Sequence, residues 1–483
     1  MGVLSGLEPQ NVFYYFEEIT KIPHGSGNVK RISDYLVEFA RERNLFYIQD
    51  AVKNVIIVKE ATQGYEEEPA VILQGHMDMV AVKKPDCDID MKTQGLKVAI
   101  DGDKIYAEGT SLGGDDGIAV AYALALLDSD TIKHPRLEVV ITVDEEVGMD
   151  GAREIDLSML KGKRLLNLDS EEEGIFLTSC AGGARIRCSV PVVREACKGM
   201  AYEVTIGGLL GGHSGAEIHK ERGNSNCLFG RLLWKLTQEL PVRLVSVNGG
   251  LADNAIPRET KAVLVLEEQY CASLEALAGN VAAEIKDELA TKDPDFCMSV
   301  KNGVVGSFEA MTVEDTAKAA MFLCALPNGV QGMSADMPGL VETSLNMGIL
   351  ESDAAGIYAE FAVRSSVESA KHALIAKVKA VTMLSGGSMT ISGDYPGWKY
   401  RVHSPLREKM LALYERMYGE VPKVEAIHAG LECGLLGSKI EDLDCVSFGP
   451  NMRDIHTTEE TLSISSTARV WEYLVALLEE KDV

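Results

Sequence analysis

Three times between residues 71 and 174 an apolar run ends in ionisable side chains. The runs are VILQGHMDMV (71–80), LEVVITVDEEVG (137–148) and RLLNLDSEEEG (164–174). Short β-branched stretches that stop at glycine or charge read as buried strands. Strands of an α/β sheet deliver ligand-binding side chains from their carboxyl ends. This pattern confines the chain to a sheet buried on both faces, with histidine and carboxylates gathered along one edge. His76 and Asp78 are two positions apart and so face the same way on an extended chain. Alone, such a pair reads as a hydrogen-bonded core histidine, and it is the acids downstream that alter the reading. Asp144, Glu145 and Glu146 repel one another unless a cation or solvent relieves them. Asp169 follows Leu168 directly and starts at the edge of the core, whereas Glu171–Glu173 read as a solvated run.

Two further stretches belong to the same pattern. In KVAIDGDKIYAEGTSLGGDDGIAVAYALALL (97–127), Asp101-Gly102 marks a hairpin and the loop SLGGDDG runs into an Ala/Leu-rich helix from about Ile118. Asp116 is placed to cap that helix, which leaves Asp115 to point elsewhere. Near the other end, LDCVSFGPNMRDIHTTEE (443–460) reads as a strand, a Gly-Pro loop and then His456, with Thr457 or Thr458 capping a final helix over about 461–480. Helical spacing also appears over 8–20, 28–43 and 405–418, with Ser26 or Asn28 as the cap of the second. His24, in the turn IPHGSG, reads as a structural turn residue or a substrate contact.

At 483 residues the chain exceeds one ordinary domain. Residues 1–185 and 386–483 share one texture, while 186–385 alternate short strands with helical runs and carry a glycine-rich loop with His213 and His219. Within that middle segment, 252–268 and 341–366 are loosely similar, as after an internal duplication. The net charge of −26 excludes nucleic acid and anionic membranes as partners. No apolar run approaches the roughly 20 residues of a membrane helix, and no basic lead precedes an apolar run at the start. The ten cysteines lack paired C-x-x-C spacing and read as reduced thiols of a cytoplasmic protein.

His76, Asp115, Glu145, Glu146, Asp169 and His456 are thus two imidazoles and four carboxylates, donors suited to zinc or a similar ion. They are too many for one tetrahedral ion. Two ions sharing a carboxylate would use them, as in aminopeptidase-type hydrolysis.

HMDMV, LGGDDG, DEEVG, NLDSE and a distant histidine, in that order, resemble the co-catalytic zinc peptidases. GGHSG-x-x-IH-x-x-x-GN, DNAIPRE and HAGLECG resemble their aminoacyl-histidine dipeptidase (carnosinase-like) branch. The resemblance implies an α/β fold: a zinc-peptidase catalytic domain with a central mixed sheet flanked by helices, plus an inserted α+β lid domain. It implies two zinc ions, with cobalt or manganese as substitutes. His76 and Asp169 would hold one, Glu146 and His456 the other, and Asp115 would bridge them. Asp78 would orient His76, and Glu145 would be the general base. In the lid, His213 would stabilise an oxyanion, and Asn254, Arg364 and Gly430 would bind substrate. The implied activity is hydrolysis of unblocked dipeptides of the Xaa-His type; the alternative is an N-acyl amino acid deacylase or carboxypeptidase. Charge alone points to Asp116, Glu432 or another acid for the substrate amine. The long lid leaves open whether His213 serves its own chain and whether the protein is a homodimer.

Overall fold

The structure is a computed structural model and describes residues 2–482. The chain forms two compact units. The first runs to Ser179, resumes over Tyr400–Ala426 and closes with the stretch from Leu431; the second is Cys180–Lys399 with Ile427–Gly430. The expected lid segment, 186–385, falls inside the second unit.

The first unit is built on an eight-stranded sheet. Its order is Phe46–Gln49, Val55–Lys59, Leu137–Thr142, Val71–His76, Arg164–Asn167, Asp444–Ser447, Ile175–Cys180 and Lys423–Ile427. The four central strands are parallel, with Val71 opposite both Leu137 and Arg164, and Asp444 also opposite Arg164. Antiparallel strands flank them, so the sheet is mixed. All six residues of Val71–His76 and all six of Leu137–Thr142 are buried, as expected of parallel strands covered on both faces. Helices Gln10–Thr20, Lys30–Glu42, Gly114–Asp128, Pro405–Tyr418 and Ile464–Glu479 share one apolar core with this sheet.

The hairpin falls where Asp101-Gly102 places it: Val98–Asp101 pairs with Lys104–Ala107, and Gly102 takes a left-handed φ of 59°. The expected caps differ. The second helix starts at Lys30 without a side-chain cap, so neither Ser26 nor Asn28 serves there. Ser26 instead donates its hydroxyl to Asp78. The last helix is capped by Ser463, which accepts the Ser466 N–H, not by Thr457 or Thr458. Thr457 turns its hydroxyl onto the Asp454 carbonyl.

The second unit is an antiparallel nine-stranded sheet. Its main order is Cys297–Met311, Arg194–Gly207, Thr260–Leu266, Arg243–Gly249, Val341–Ser352, Gly356–Ser365, Gly182–Pro191 and Ser388–Tyr395, with Gly329–Met333 added beside Val341–Ser352. Ala184, Ile186, Cys188 and Val190 are buried while Arg185 and Arg187 are exposed, the alternation of a sheet covered on one face. Helices Ser225–Glu239, Cys271–Glu288, Val313–Ala325 and Glu368–Leu384 supply the cover. This is an α+β layer. Among the described residues no helix is long and apolar enough to cross a membrane.

Candidate functional site

The parallel strands of the first unit end together, and each hands the chain to a ligand-bearing turn. Val71–His76 ends on the imidazole itself. Leu137–Thr142 leads to Asp144–Glu146, and Arg164–Asn167 leads to Asp169. A buried polar network locks these ends in register. The Gln74 amide donates to Glu432 and accepts from Asn167 at 2.6 Å, and the Thr142 hydroxyl donates to the same Glu432 oxygen at 2.6 Å. Burial pushes the Glu432 carboxyl up to about 8.

On that edge the Asp115 carboxylate lies between two imidazoles. Its Oδ1 is 3.2 Å from His76 Nε2 and its Oδ2 is 3.1 Å from His456 Nε2. Each nitrogen also faces a second carboxylate: Asp169 Oδ1 is 3.6 Å from His76 Nε2, and Glu146 Oε1 is 2.9 Å from His456 Nε2. Glu145 groups with His76 and Glu146, their donor atoms within 4.8 Å of one another. One ring nitrogen carries at most one hydrogen and cannot satisfy two carboxylates. Buried Glu146 Oε1 accordingly has no aligned hydrogen bond despite its short approach. Two lone-pair nitrogens, each with two converging carboxylate oxygens and one carboxylate common to both, are the donor set of a pair of divalent ions. The residues fit such a pair.

The electrostatics agree. Burial lowers the basicity of His76, but Asp169, Asp115 and Asp78 around it overcome this and hold it well above its ordinary value. The Asp115 and Glu146 carboxylates raise His456 to about 10. Burial pushes Asp169 up to about 6 and Glu145 well above the carboxylate range, with neighbouring acids adding to both. The site therefore gathers more negative charge than its own side chains neutralise, which cations would relieve.

Asp78 holds more than His76. His76 Nδ1 lies 3.0 Å from the Asp78 carbonyl and 3.6 Å from its carboxylate. The carboxylate accepts the Glu145 N–H at 3.1 Å, the Glu146 N–H at 3.4 Å and the Ser26 hydroxyl at 2.8 Å. One side chain thus fixes the turn that presents both glutamates. Asp116 is fully buried and does not cap its helix; its Oδ2 accepts the His76 N–H at 3.2 Å. Asp116 and Glu432 are both buried. His24 is buried, with Nδ1 on the Ile22 carbonyl. A cavity of about 740 Å³ opens beside Glu146, lined by Met79, Val80, Ile89, Met91 and Val147.

His213, Asn254, Arg364 and Gly430 all belong to the second unit. The Asn254 carbonyl accepts the Ser214 N–H at 2.8 Å, and His213 pairs with Ala255. His213 Nδ1 accepts the Gly215 and Ala216 N–H groups at 3.3 and 3.1 Å. That fixes the ring hydrogen on Nε2. Gly215 permits the packing here, because a Cβ would sit 2.6 Å from the His428 carbonyl, 3.0 Å from His213 Cε1 and 3.2 Å from Arg364 Nε. His428 is a residue that sequence reasoning missed. It is buried, bonds the Ser344 hydroxyl at 2.7 Å, and is held near 3 by burial and by Arg364. The signal was HAGLECG, in which Gly430 drew the attention.

A model of peptidase family M20/M25/M40 matches residues 72–480. The cytosol non-specific dipeptidase of Escherichia coli is 36% identical over 482 residues, covering 99% of each chain. The crystal structure of aminoacylhistidine dipeptidase from Vibrio alginolyticus superposes with a TM-score of 0.94 at 37% identity, covering 100% of this chain and 99% of that one. Aminopeptidase PepT from Bacillus cereus shares the fold, with a TM-score of 0.55 at 16% identity over 98% of each chain. The chain is a member of peptidase family M20/M25/M40.

Proposed function

We propose that this chain is a metal-dependent dipeptidase that cleaves unblocked dipeptides of the Xaa-His type, with zinc as the metal. The observation that carries the reading is the Asp115 carboxylate, with one oxygen on each imidazole and Glu145 alongside. His76 and Asp169 would hold one ion, and Glu146 and His456 the other. When bound, the ions would supply Lewis acidity that acidifies a water and polarises the peptide carbonyl.

The chain's own groups do the rest. Glu145, made more basic by burial and by neighbouring acids, takes the proton of the attacking water and passes it to the leaving amine. Asp78 keeps Glu145 in reach by anchoring its N–H and keeps His76 in one orientation through its carbonyl. His213, with its hydrogen on Nε2, is a neutral donor suited to an oxyanion. The Arg364 guanidinium takes the substrate carboxylate, and Asn254 and Gly430 shape the same subsite. The cavity beside Glu146 takes the side chain of the N-terminal residue.

The test offers purified protein and added zinc two substrates, β-alanyl-histidine and N-acetyl-histidine, each with and without chelator. Histidine released from the dipeptide alone, and abolished by chelator, supports the reading. Release from the acetylated compound instead moves the chain to the deacylases, and release that ignores chelator removes the metal from the mechanism.

A further inference from the structure

The turn that presents Asp115 is held by a carboxylate from the far end of the chain. Glu460 is buried. Its Oε2 accepts the N–H groups of Leu112 at 2.8 Å and Gly113 at 3.1 Å, and its Oε1 accepts those of Gly114 at 2.8 Å and Asp115 at 3.3 Å. The Gly114 and Asp115 N–H groups open helix Gly114–Asp128, and those of Leu112 and Gly113 belong to the turn that leads into it. An acid in that first turn is ordinarily drawn onto them. Here they are already taken, the flanking residue is Gly113 with a left-handed φ of 69°, and no side chain of the helix itself caps it.

Two consequences follow for Asp115. Both of its oxygens stay free to face His76 and His456, and its backbone cannot swing away from them. Glu460 is also four residues beyond His456, on the same loop. The Glu460 N–H returns to the Thr457 carbonyl, and Thr457 bonds Asp454. One loop thus delivers the His456 imidazole to one side of Asp115 and grips the backbone of Asp115 on the other.

We propose that Glu460 is a positioning residue: it fixes the separation of Asp115 and His456, and with it the ability of the site to hold two ions at once. The proposal rests on the metal reading above. Glu460→Gln offers one acceptor oxygen and one NH₂ group to four N–H donors, so two of the four lose their partner and meet another donor. Glu460→Asp keeps the charge but falls one carbon short.

The experiment is calorimetric titration of the metal-free full chain with zinc, together with kcat and KM for β-alanyl-histidine, on wild type, both Glu460 variants and Ser463→Ala. Ser463 caps the last helix three residues further on and touches nothing in the Asp115 turn. It therefore reports what simple loosening of this segment does. Glu460→Gln is expected to weaken uptake of at least one ion by about 10- to 100-fold and to lower kcat by a similar factor, with KM within about threefold. Glu460→Asp should fall between it and wild type, and decides the matter if Glu460→Gln does not fold. Ser463→Ala should lower the melting temperature while leaving ion affinity and kcat unchanged.

Wild-type uptake of two ions with unaltered affinity and kcat in the Glu460 variants overturns the positioning role and leaves the metal reading intact. The same holds if Ser463→Ala matches the Glu460 variants in every readout. A wild-type chain that takes up no zinc overturns both.

Discussion

Two histidines, the exposed His456 in the first unit and the buried His428 in the second, have been pushed in opposite directions. His456 stands near 10 because two carboxylates crowd its Nε2; His428 stands near 3 because burial and Arg364 deny it a proton. The same side chain serves opposite charge environments. The first unit concentrates carboxylates and calls for cations. The second sets a guanidinium among neutral imidazoles and calls for an anion such as a peptide carboxylate. On the proposed reading, a catalyst that holds metal and recognises a charged chain end uses both environments, which one cluster could not supply without each cancelling the other.

The largest effect should come from the acidic end. Glu145→Gln should lower kcat by about 10²- to 10⁴-fold while zinc content by elemental analysis stays at the wild-type value. Full activity with both ions bound would remove Glu145 from proton transfer. At the basic end, Arg364→Ala should raise KM by about 10- to 100-fold with a smaller change in kcat. Arg364→Lys should recover only part of this, since an ammonium lacks the guanidinium fork. A KM that ignores both changes would mean that the second unit's cluster does not bind the substrate carboxylate.

The paired histidines predict pH slopes of opposite sign in the metal-free protein. His428 is depressed below its ordinary 6.5, so the unfolded chain binds the extra proton between about 3 and 6.5. Its stabilising contribution is complete above 6.5 and is lost as pH falls, by about 1 kcal/mol per unit. His456 is raised, so its contribution is complete below 6.5 and is lost as pH rises toward 10. Melting temperatures across pH should show His428→Asn flattening the acid limb and His456→Asn flattening the alkaline limb. Zinc uptake should erase the second effect by displacing the His456 proton; calorimetry in buffers of different ionisation enthalpy would count it. The smallest effect is expected from Met91→Trp, which narrows the cavity beside Glu146. It should raise KM about tenfold for dipeptides with a bulky N-terminal residue and leave glycyl-histidine unaffected.

The fold class and the gathering of His76, Asp115, Glu145, Glu146 and Asp169 were legible because each residue follows an apolar run or opens a helix, while His456 stood out as a histidine in the loop after the last apolar strand. Periodicity records such positions locally. What stayed hidden depends on distance along the chain. Glu460 follows the threonines read as caps of the last helix and drew no role of its own, yet its partners lie 345 to 348 residues away. Asp116 looked like a helix cap and instead holds the His76 N–H. In both cases local pattern showed that a backbone N–H needed an acceptor but not which acceptor would win it. His428 was invisible for another reason: its depressed basicity is a product of burial beside Arg364, and no neighbour in sequence announces that.

The separation of Asp115 from His456 by 341 residues also sets a clock. A ribosome adds about 5–20 residues per second, so roughly 20 to 70 s pass between synthesis of the shared carboxylate and of the imidazole that completes its second side. Once Asp169 has been made, the nascent chain carries His76, Asp115, Glu146 and Asp169 but still lacks His456 and the Glu460 clamp. On the proposed reading, a peptidase assembled this way stays inert among growing chains until His456 and Glu460 have been made.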